Sequence, residues 1–506
     1  MSRGNTGTAE IEDKFDVDED FVLPDLDSLD GVDSVADPVE QELNATYFDT
    51  AELRLSTAGM AVRRRTGGTD EGWHVKLPVD SRTRTEVRRP LGRAVRKVPK
   101  PLVDQVRAHV RDSELVPIVR IHTRRLLREV LDGDGAVLAQ ISDDRVTAEV
   151  LGHTAEIRSW REIEVELAGA DAALLDAVGA RLRAAGARPS SAASKLARSL
   201  GDRLSTRASV HPVDSAAAGA VVLRYLRDQV GVLLRTDPDV RTDQPDSVHQ
   251  MRVAARRLRS VLKAYRPLFD PEVINPIRDE LQWFGGVLSP ARDAEVQQAR
   301  FEHSLAALPA ESILGPVAAR ITSEYRGRYQ RALAELRETM NGVRYFRLLD
   351  ELEDLVTKPP FAEAAGRSST KLLVRHAHKA DRSARRAVRA AEADELDTTA
   401  RLERRHEARK AAKRARYAAE AIRPVHRSTA KAIGKSMRAV QRTLGEHRDA
   451  VLAAIELRHH AIAAHRAGEN SFTYGLLAAR EEWNAAAALA EYARAGKRIK
   501  VAVRTD

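Results

Sequence analysis

The chain changes character between residues 170 and 215, and this change constrains its fold more than any other feature. Up to about residue 170, short runs alternate apolar and charged residues and are broken by turn residues such as Gly67 and Gly68. That pattern is typical of strands and hairpins. From about residue 215 the segments are long, rich in Ala, Leu, Arg and Glu, and contain few Gly or Pro, which favours helices. The sequence therefore predicts an α+β fold, with an antiparallel β domain first and an all-α domain second.

The length of the chain sets the number of domains. A chain of 506 residues is longer than a single hydrophobic core usually supports, so more than one domain is predicted. The Ala- and Arg-rich stretch 171–204 is predicted to form one or two helices that close the first domain. We therefore place the domains at residues 6–203 and 215–506, with a linker at residues 204–214.

The formal net charge of +9 favours an anionic partner, either a phosphate chain, a nucleic acid or an acidic surface. Aromatic residues make up only 4% of the chain, which argues against stacking platforms for single strands, so nucleic acid is the less favoured partner. The chain has no cysteine, which fits a reducing compartment, and we expect a cytoplasmic protein. No apolar run approaches the roughly 20 residues of a membrane span, so we expect no membrane partner.

Charged residues in the first domain recur at every second position. Residues two apart on a strand share one face of the sheet. The residues with this spacing are Glu10, Glu12 and Lys14, then Arg63 and Arg65, His74 and Lys76, Arg82, Arg84 and Glu86, Arg120, His122 and Arg124, and Glu162, Glu164 and Glu166.

Two interpretations of this spacing are open. In an open sheet, the charged face would simply be solvated. In a closed barrel, the same face would line a polar tunnel, and its Arg and Lys side chains would bind a chain of phosphates. Carboxylates of Glu10, Glu12, Glu164 and Glu166 would then offer the oxygen ligands that Mg²⁺ or Mn²⁺ prefers.

Residues 10–14, EIEDK, resemble the ExExK signature of CYTH domains, the triphosphate tunnel metalloenzymes. Further matches follow in order at 47–50, 62–65, 73–78, 84–86, 123–124, 162–167 and 194–196. The resemblance implies an eight-stranded antiparallel β tunnel with flanking helices that hydrolyses or cyclises triphosphate substrates with a divalent metal.

The resemblance also assigns roles by position. It implies that Glu10, Glu12, Glu164 and Glu166 bind the metal, with Glu162 as a further candidate, and that Glu10, Glu12 and Lys14 are catalytic. It places Asp144 at the rim. The implied phosphate-binding residues are Lys14, Arg63, Arg65, Lys76, Arg84, Arg120, Arg124 and Lys195.

The second half of the chain repeats itself. The segment 249–259, HQMRVAARRLR, recurs as 406–416, HEARKAAKRAR, and each copy is followed by an Arg-Asp pair, at 292–293 and at 448–449. Two copies of one helical unit are therefore predicted.

Three basic stripes follow helical spacing, so each lies on one side of its helix. They could be solvated faces. However, they contain few acidic residues, and like charges three or four apart destabilise a helix, so we predict a shared anion groove. The stripes are His249, Arg252, Arg256, Arg259 and Lys263; His406, Arg409, Lys413 and Arg416; and Lys371, Arg375, Lys379 and Arg382.

This half resembles the CHAD domain, through residues 248–260, 288–296, 406–420 and 444–452. The resemblance implies two pseudo-symmetric helical bundles whose facing basic helices bind inorganic polyphosphate. We interpret Asp293 and Asp449 as residues that brace the arginines of the groove.

Together these observations favour metal-dependent hydrolysis of inorganic triphosphate or polyphosphate chain ends in the first domain, with polyphosphate held by the second. The sequence leaves two main alternatives open: a non-catalytic polyphosphate-binding protein, or a CYTH enzyme that acts on nucleoside triphosphates as a triphosphatase or adenylate cyclase.

Overall fold

The computed structural model describes residues 8–78, 83–92, 97–152, 156–205, 217–367, 369–393 and 398–501. The chain divides into two compact units, unit 1 at residues 1–209 and unit 2 at residues 210–506. Most of the predicted linker, residues 206–214, lies outside the described residues. The predicted domain limits therefore stay predictions.

Unit 1 contains ten strands and five helices in its described part. The strands are β1 (Thr8–Val17), β2 (Ser34–Val35), β3 (Val39–Asp49), β4 (Ala61–Thr66), β5 (Gly72–Pro78), β6 (Thr83–Arg89), β7 (Val116–Leu131), β8 (Val137–Val150), β9 (Glu156–Leu167) and β10 (Arg188–Pro189). The helices are α1 (Arg54–Thr57), α2 (Lys100–Val110), α3 (Ala172–Ala184), α4 (Lys195–Leu200) and α5 (Asp202–Ser205).

Eight of these strands close into an antiparallel ring. The hydrogen-bonded order is β1-β6-β5-β4-β3-β7-β8-β9, and β9 pairs again with β1. The closing pair places Lys14 opposite Glu164 and Glu12 opposite Glu166. The two short strands lie outside the ring, with β2 paired to β7 and β10 paired to β1. The predicted eight-stranded antiparallel arrangement is confirmed.

Helices cover the apolar outer side of the ring. Val75 on β5 packs with residues of α2, and Ile163 and Val165 on β9 pack with residues of α3. All three side chains are fully buried. Burial of these apolar side chains beneath helices stabilises the closed form. Because neighbouring residues on a strand point to opposite sides, the charged residues between them face the interior.

Unit 2 is helical throughout its described part. Its α-helices are α6 (Ala218–Arg241), α7 (Ser247–Ala264), α8 (Pro271–Ala306), α9 (Val317–Thr339), α10 (Val343–Thr357), α11 (Ser369–Ala390), α12 (Thr398–Ala421), α13 (Arg427–Arg466) and α14 (Phe472–Val501). Short 3₁₀ helices lie at Arg266–Leu268, Ala310–Ser312 and Glu363–Gly366.

The sequence repeat corresponds to two pairs of helices. The first copy lies on α7 and α8, which contact each other, and the second lies on α12 and α13, which also contact each other. Helices α7 and α12 pack together, so the two copies meet through their equivalent helices. The predicted pseudo-symmetric helical architecture is confirmed.

Candidate functional site

The ring of unit 1 encloses a cavity of about 330 Å³. It brings together eight of the residues that the sequence predicts as site residues. They are Glu12, Lys14, Arg63, Arg65, Lys76, Glu164, Glu166 and Lys195. Each comes from the inward-facing set of its strand, except Lys195, which α4 carries into the cavity.

Carboxylates and cations alternate along the β1, β8 and β9 side of the cavity. The Lys14 ammonium donates to Glu12 at 2.8 Å and to Glu164. Arg125 donates two parallel hydrogen bonds to Asp144, at 2.8 and 2.7 Å, and a third to Glu164 at 3.1 Å. Such charge-assisted, bidentate contacts are strong and fix the orientation of the groups they join.

Lys195 lies among three carboxylates. Its Nζ is 2.8 Å from Asp144, 2.7 Å from Glu162 and 2.8 Å from Glu164. Burial alone would lower the pKa of Lys195, but these carboxylates raise it well above its usual value. The side chain is therefore an ammonium at neutral pH.

The same network keeps its acids ionised. Burial would raise the pKa of Glu164, but Lys14, Lys195 and Arg125 hold it well below its usual range. The pKa of Glu12 is also lowered, because Lys14 and other cations outweigh the opposing effects of burial and Glu164. Ionised oxygens are the form that binds a hard divalent cation.

The residues present fit a divalent metal. In the described part of the chain, one ligand oxygen each from Asp144, Glu162 and Glu164 lies within 4.8 Å of the others. Glu12 and Glu166, which pair across β1 and β9, line the same cavity. The predicted ligand Glu10 lies on β1 opposite Arg84 on β6, and the side chains of both residues are outside the described residues.

Cations crowd the part of the ring formed by β4, β5 and β6, which lies across from β8 and β9. Fully buried Glu86 accepts from Arg88, and Arg63 and Lys76 lie 3.6 and 3.7 Å from it. His74 lies 3.0 Å from the same carboxylate. These contacts hold the cationic side chains in place around a single acid.

The crowding has an electrostatic cost. Arg65 pairs with Asp70, yet burial together with the nearby Arg63 and Arg125 lowers the pKa of Arg65 to about 9. Cations that disfavour one another in this way are stabilised by an incoming anion. This side of the cavity is therefore suited to a ligand with several negative charges.

The structure corrects the predicted inward face of β7. Arg120 and Arg124 are about 60% exposed and pair with Glu149 at 3.3 Å and Glu40 at 3.0 Å, so they do not lie in the cavity. The neighbouring Arg125 does. Both faces of β7 carry basic residues, so the spacing of charges could not identify which face points inward. The pairing of β7 with β8 places Arg125 opposite Asp144.

Sequence reasoning also underestimated Asp144 and missed Arg88. Asp144 is fully buried at the centre of the carboxylate network, whereas the sequence placed it at the rim. Arg88 lines the cavity two residues after Glu86, and the same strand parity was the signal that could have identified it.

Unit 2 contains a larger cavity, of about 780 Å³, where the two sequence repeats meet. Equivalent residues from both copies line it. From α7 and α8 come His249, Arg252, Arg256, Arg292 and Asp293, and from α12 and α13 come Arg409, Lys413, Arg448 and Asp449. Arg252 converges with Arg409, and Arg256 with Lys413, so basic residues of both repeats face one space.

Burial and the neighbouring cations both lower the pKa values of basic residues in this cavity. Burial, followed by Arg409, Arg256 and Arg252, lowers the pKa of Lys413 to about 6. In the first repeat, Asp293 lies 3.8 Å from Arg252. The bracing role of Asp293 and Asp449 stays a prediction. Four acids line the cavity, Asp293, Glu335, Asp449 and Glu456, but Arg and Lys side chains outnumber them, so positive charge remains in excess.

Several predicted polyphosphate residues lie away from the lining of this cavity. Arg259 donates to Gln282 at 2.5 Å, and Arg416 contacts Glu420 and Gln441 at 3.0 and 2.8 Å. Their neighbours in the stripes, Lys263 and His406, are not among the lining residues. The third stripe, which occupies an exposed side of α11, does not line the cavity either; it consists of Lys371, Arg375, Lys379 and Arg382.

Comparison with known families gives two consecutive matches. The model of the CYTH domain matches residues 8–200, and the model of the CHAD domain matches residues 224–458. In the described part of the chain, every helix is too short or too polar to cross a membrane.

Full-length relatives and solved structures were also found. Uncharacterized proteins from two strains of Mycobacterium tuberculosis are each 38% identical over 485 residues, covering 93% of this chain and 92% of theirs. PptA from Streptomyces chartreusis is 23% identical, with a TM-score of 0.45, over 56% of this chain and 99% of its own. The CHAD domain from Ricinus communis is 27% identical, with a TM-score of 0.42, over 57% of this chain and 95% of its own.

Proposed function

The chain belongs to the proteins that join a CYTH domain to a CHAD domain, and from this membership we propose that unit 1 hydrolyses inorganic triphosphate or polyphosphate chain ends while unit 2 holds the polymer. CYTH domains act on triphosphates with the help of a metal, so unit 1 belongs to a family of phosphoryl-transfer enzymes in general. The narrower assignment to inorganic phosphate chains is the proposal.

One observation carries the proposal for unit 1. A single cavity places ionised carboxylates on one side and crowded cations on the other. Carboxylates among Glu12, Asp144, Glu162, Glu164 and Glu166 would hold a divalent ion, which would polarise the phosphoryl group and the attacking water. Arg63, Arg65 and Lys76 neutralise the negative charge that the loose transition state of phosphoryl transfer spreads over the phosphate oxygens.

The cations are held before substrate arrives. Glu86 lies within 4 Å of Arg63 and Lys76, and Asp70 pairs with Arg65. Donors that are already oriented require little reorganisation during the reaction, which makes them effective in catalysis.

The proposal for unit 2 is supported by the charge of its cavity. Six basic side chains from two sequence repeats line one space, so a flexible polyanion can contact both halves at once; they are Arg252, Arg256, Arg292, Arg409, Lys413 and Arg448. Binding of such a polymer releases counterions and weakens steeply with salt.

The deciding experiment measures phosphate release from triphosphate, ATP and long polyphosphate with Mg²⁺ or Mn²⁺. The proposal expects turnover of triphosphate or polyphosphate ends to exceed that of ATP. Preferential turnover of ATP would contradict the proposal and indicate an enzyme that acts on nucleoside triphosphates. Tight polyphosphate binding without turnover of any of the three substrates would indicate a non-catalytic polyphosphate-binding protein.

A further inference from the structure

Lys195 occupies the centre of the carboxylate cluster that fits a metal. Its Nζ contacts Asp144, Glu162 and Glu164 at 2.7–2.8 Å, and these are the three residues whose ligand oxygens lie within 4.8 Å of one another. Lys14 contacts Glu164, and Arg125 contacts Asp144 and Glu164, but among these cations Lys195 is the one that contacts all three carboxylates.

Glu162 shows how the cluster is arranged around that cation. Its Oε2 accepts from the indole nitrogen of Trp160 at 2.5 Å. Its Oε1 is buried, has no hydrogen bond of normal geometry within the described residues, and lies 2.7 Å from the lysine nitrogen. Oε2 is thus fixed by a hydrogen bond from Trp160, whereas Oε1 contacts the charge of the lysine. Another cation of suitable size can take the place of the lysine ammonium.

A divalent ion and the lysine cannot share this position. Mg²⁺ bound to the same oxygens would lie about 2.0–2.1 Å from each of them, which is within a few ångströms of the ammonium nitrogen. Two cations so close in a buried site repel each other strongly. Entry of the metal at these residues therefore requires the lysine to leave.

We propose that Lys195 is an internal counter-ion that a divalent metal displaces, and that the displaced ammonium then binds phosphate oxygens in the same cavity. This inference rests on the proposed metal-dependent function. Lys195 is the first residue of α4, and both it and the preceding Ser194 line the cavity. Metal and phosphate binding would then be coupled, each strengthening the other by the same factor.

The test measures Mn²⁺ affinity of the full chain by calorimetry in the absence of any phosphate. In wild type, only molecules in which the lysine has left the cluster can bind the ion. The apparent affinity is therefore the intrinsic affinity multiplied by the fraction of such molecules. Lys195→Gln removes the competitor, and we expect Mn²⁺ to bind at least about tenfold more tightly. Lys195→Arg retains a cation and should show no such gain.

The matched control is Lys76→Gln. It removes the same charge from the same cavity, but Lys76 lies beside Glu86, at 3.7 Å, and outside the carboxylate cluster. Unchanged or weaker Mn²⁺ binding in Lys195→Gln would overturn the proposal. So would an equal gain in Lys76→Gln, because that result would reflect net charge alone.

A second measurement covers the case in which Lys195→Gln is unstable. The variant has less positive charge around Asp144, Glu162 and Glu164. Added Mn²⁺ should therefore raise the melting temperature of the variant more than that of wild type. A smaller rise than in wild type would contradict displacement. Neither measurement uses a substrate, so a failure of the proposed hydrolysis and a failure of this inference are distinguishable.

Discussion

Arg252 on α7 and Arg409 on α12 line one cavity, although 409 − 252 = 157 positions separate them in the chain. They occupy equivalent positions of the two sequence repeats. Each lowers the pKa of Lys413, so both are close enough to act on one group. A site assembled in this way depends on both repeats.

Replacing Arg252 and Arg409 with Ala should weaken binding of long polyphosphate and reduce its dependence on salt. Each lost phosphate contact lowers the logarithmic salt slope by about one, so we expect a change of about two. Titration by fluorescence anisotropy at several salt concentrations measures this slope. Helix content should be unchanged, because Ala favours helices.

The matched control for that experiment is the double replacement of Lys371 and Arg375 with Ala. These residues lie on the exposed stripe of α11 and do not line the cavity. The control removes the same charge, and we expect a clearly smaller loss of affinity. An equal loss would show that the polymer binds across α11 as well.

Lys413 should make polyphosphate binding dependent on pH. Its pKa is lowered to about 6, so the free protein carries it mostly neutral at pH 7. A bound polyanion raises that pKa, so binding takes up a proton and affinity falls as pH rises from about 6 to 8, by up to about tenfold per pH unit. Calorimetry in buffers of different ionisation enthalpy measures the proton uptake.

Lys413→Met should remove this pH dependence. The other charged groups around Lys413 are Arg409, Arg256, Arg252 and Asp449. His249 also lines the cavity, with a pKa lowered by burial, so His249→Asn is the control. Loss of the pH dependence in the histidine variant instead would assign the proton to His249.

Arg125 and Arg124 provide a direct test of which face of β7 is inside. Arg125 contacts Asp144 and Glu164 in the cavity, and Arg125→Gln leaves both acids undercompensated. We expect this variant to lose about 3–5 kcal/mol of stability and most of its phosphate release. Urea denaturation and the phosphate assay measure the two effects.

Arg124→Gln removes the same charge one residue away. Its partner is the exposed Glu40, and exposed ion pairs contribute about 0–1 kcal/mol. We expect stability and turnover close to those of wild type. If Arg124→Gln abolished turnover while Arg125→Gln did not, the inward face of β7 would be assigned wrongly.

Glu12→Gln should abolish metal-dependent hydrolysis and leave polyphosphate binding intact. Glu12 lines the unit 1 cavity and accepts from Lys14 at 2.8 Å, so the change removes a candidate ligand and the partner of a predicted catalytic cation. The phosphate assay and the polymer titration are run on the same preparation. Glu40→Gln, on the outer face, is the control, and full turnover in Glu12→Gln would refute the assignment.

Separate fragments test the independence of the two units. Because contacts divide the chain at residues 209 and 210, a fragment of residues 1–209 should fold and hydrolyse short phosphate chains. Circular dichroism and the phosphate assay measure both properties. Activity that returns only when residues 210–506 are restored would contradict this division of roles.

Alternation by itself determined much of the tunnel. Residues two apart on a strand share a face, so the spacing of Glu12 and Lys14, and of Glu164 and Glu166, was sufficient to group the inward residues of β1 and β9. The repeat likewise identifies Arg252 and Arg409 as equivalent positions from the order of residues alone. Local periodicity of this kind depends only on backbone geometry, which is the same in every strand and helix.

The tertiary structure decided what periodicity leaves open. Spacing groups the residues of one face but does not say whether that face is inside, and on β7 only the pairing with β8 selects Arg125 over Arg124. Spacing also places Lys371 and Arg375 on one side of α11 without saying what that side meets. Burial of Asp144 and the position of Lys195 arise from strands and a helix distant in sequence, so only the packing that brings these elements together determines them.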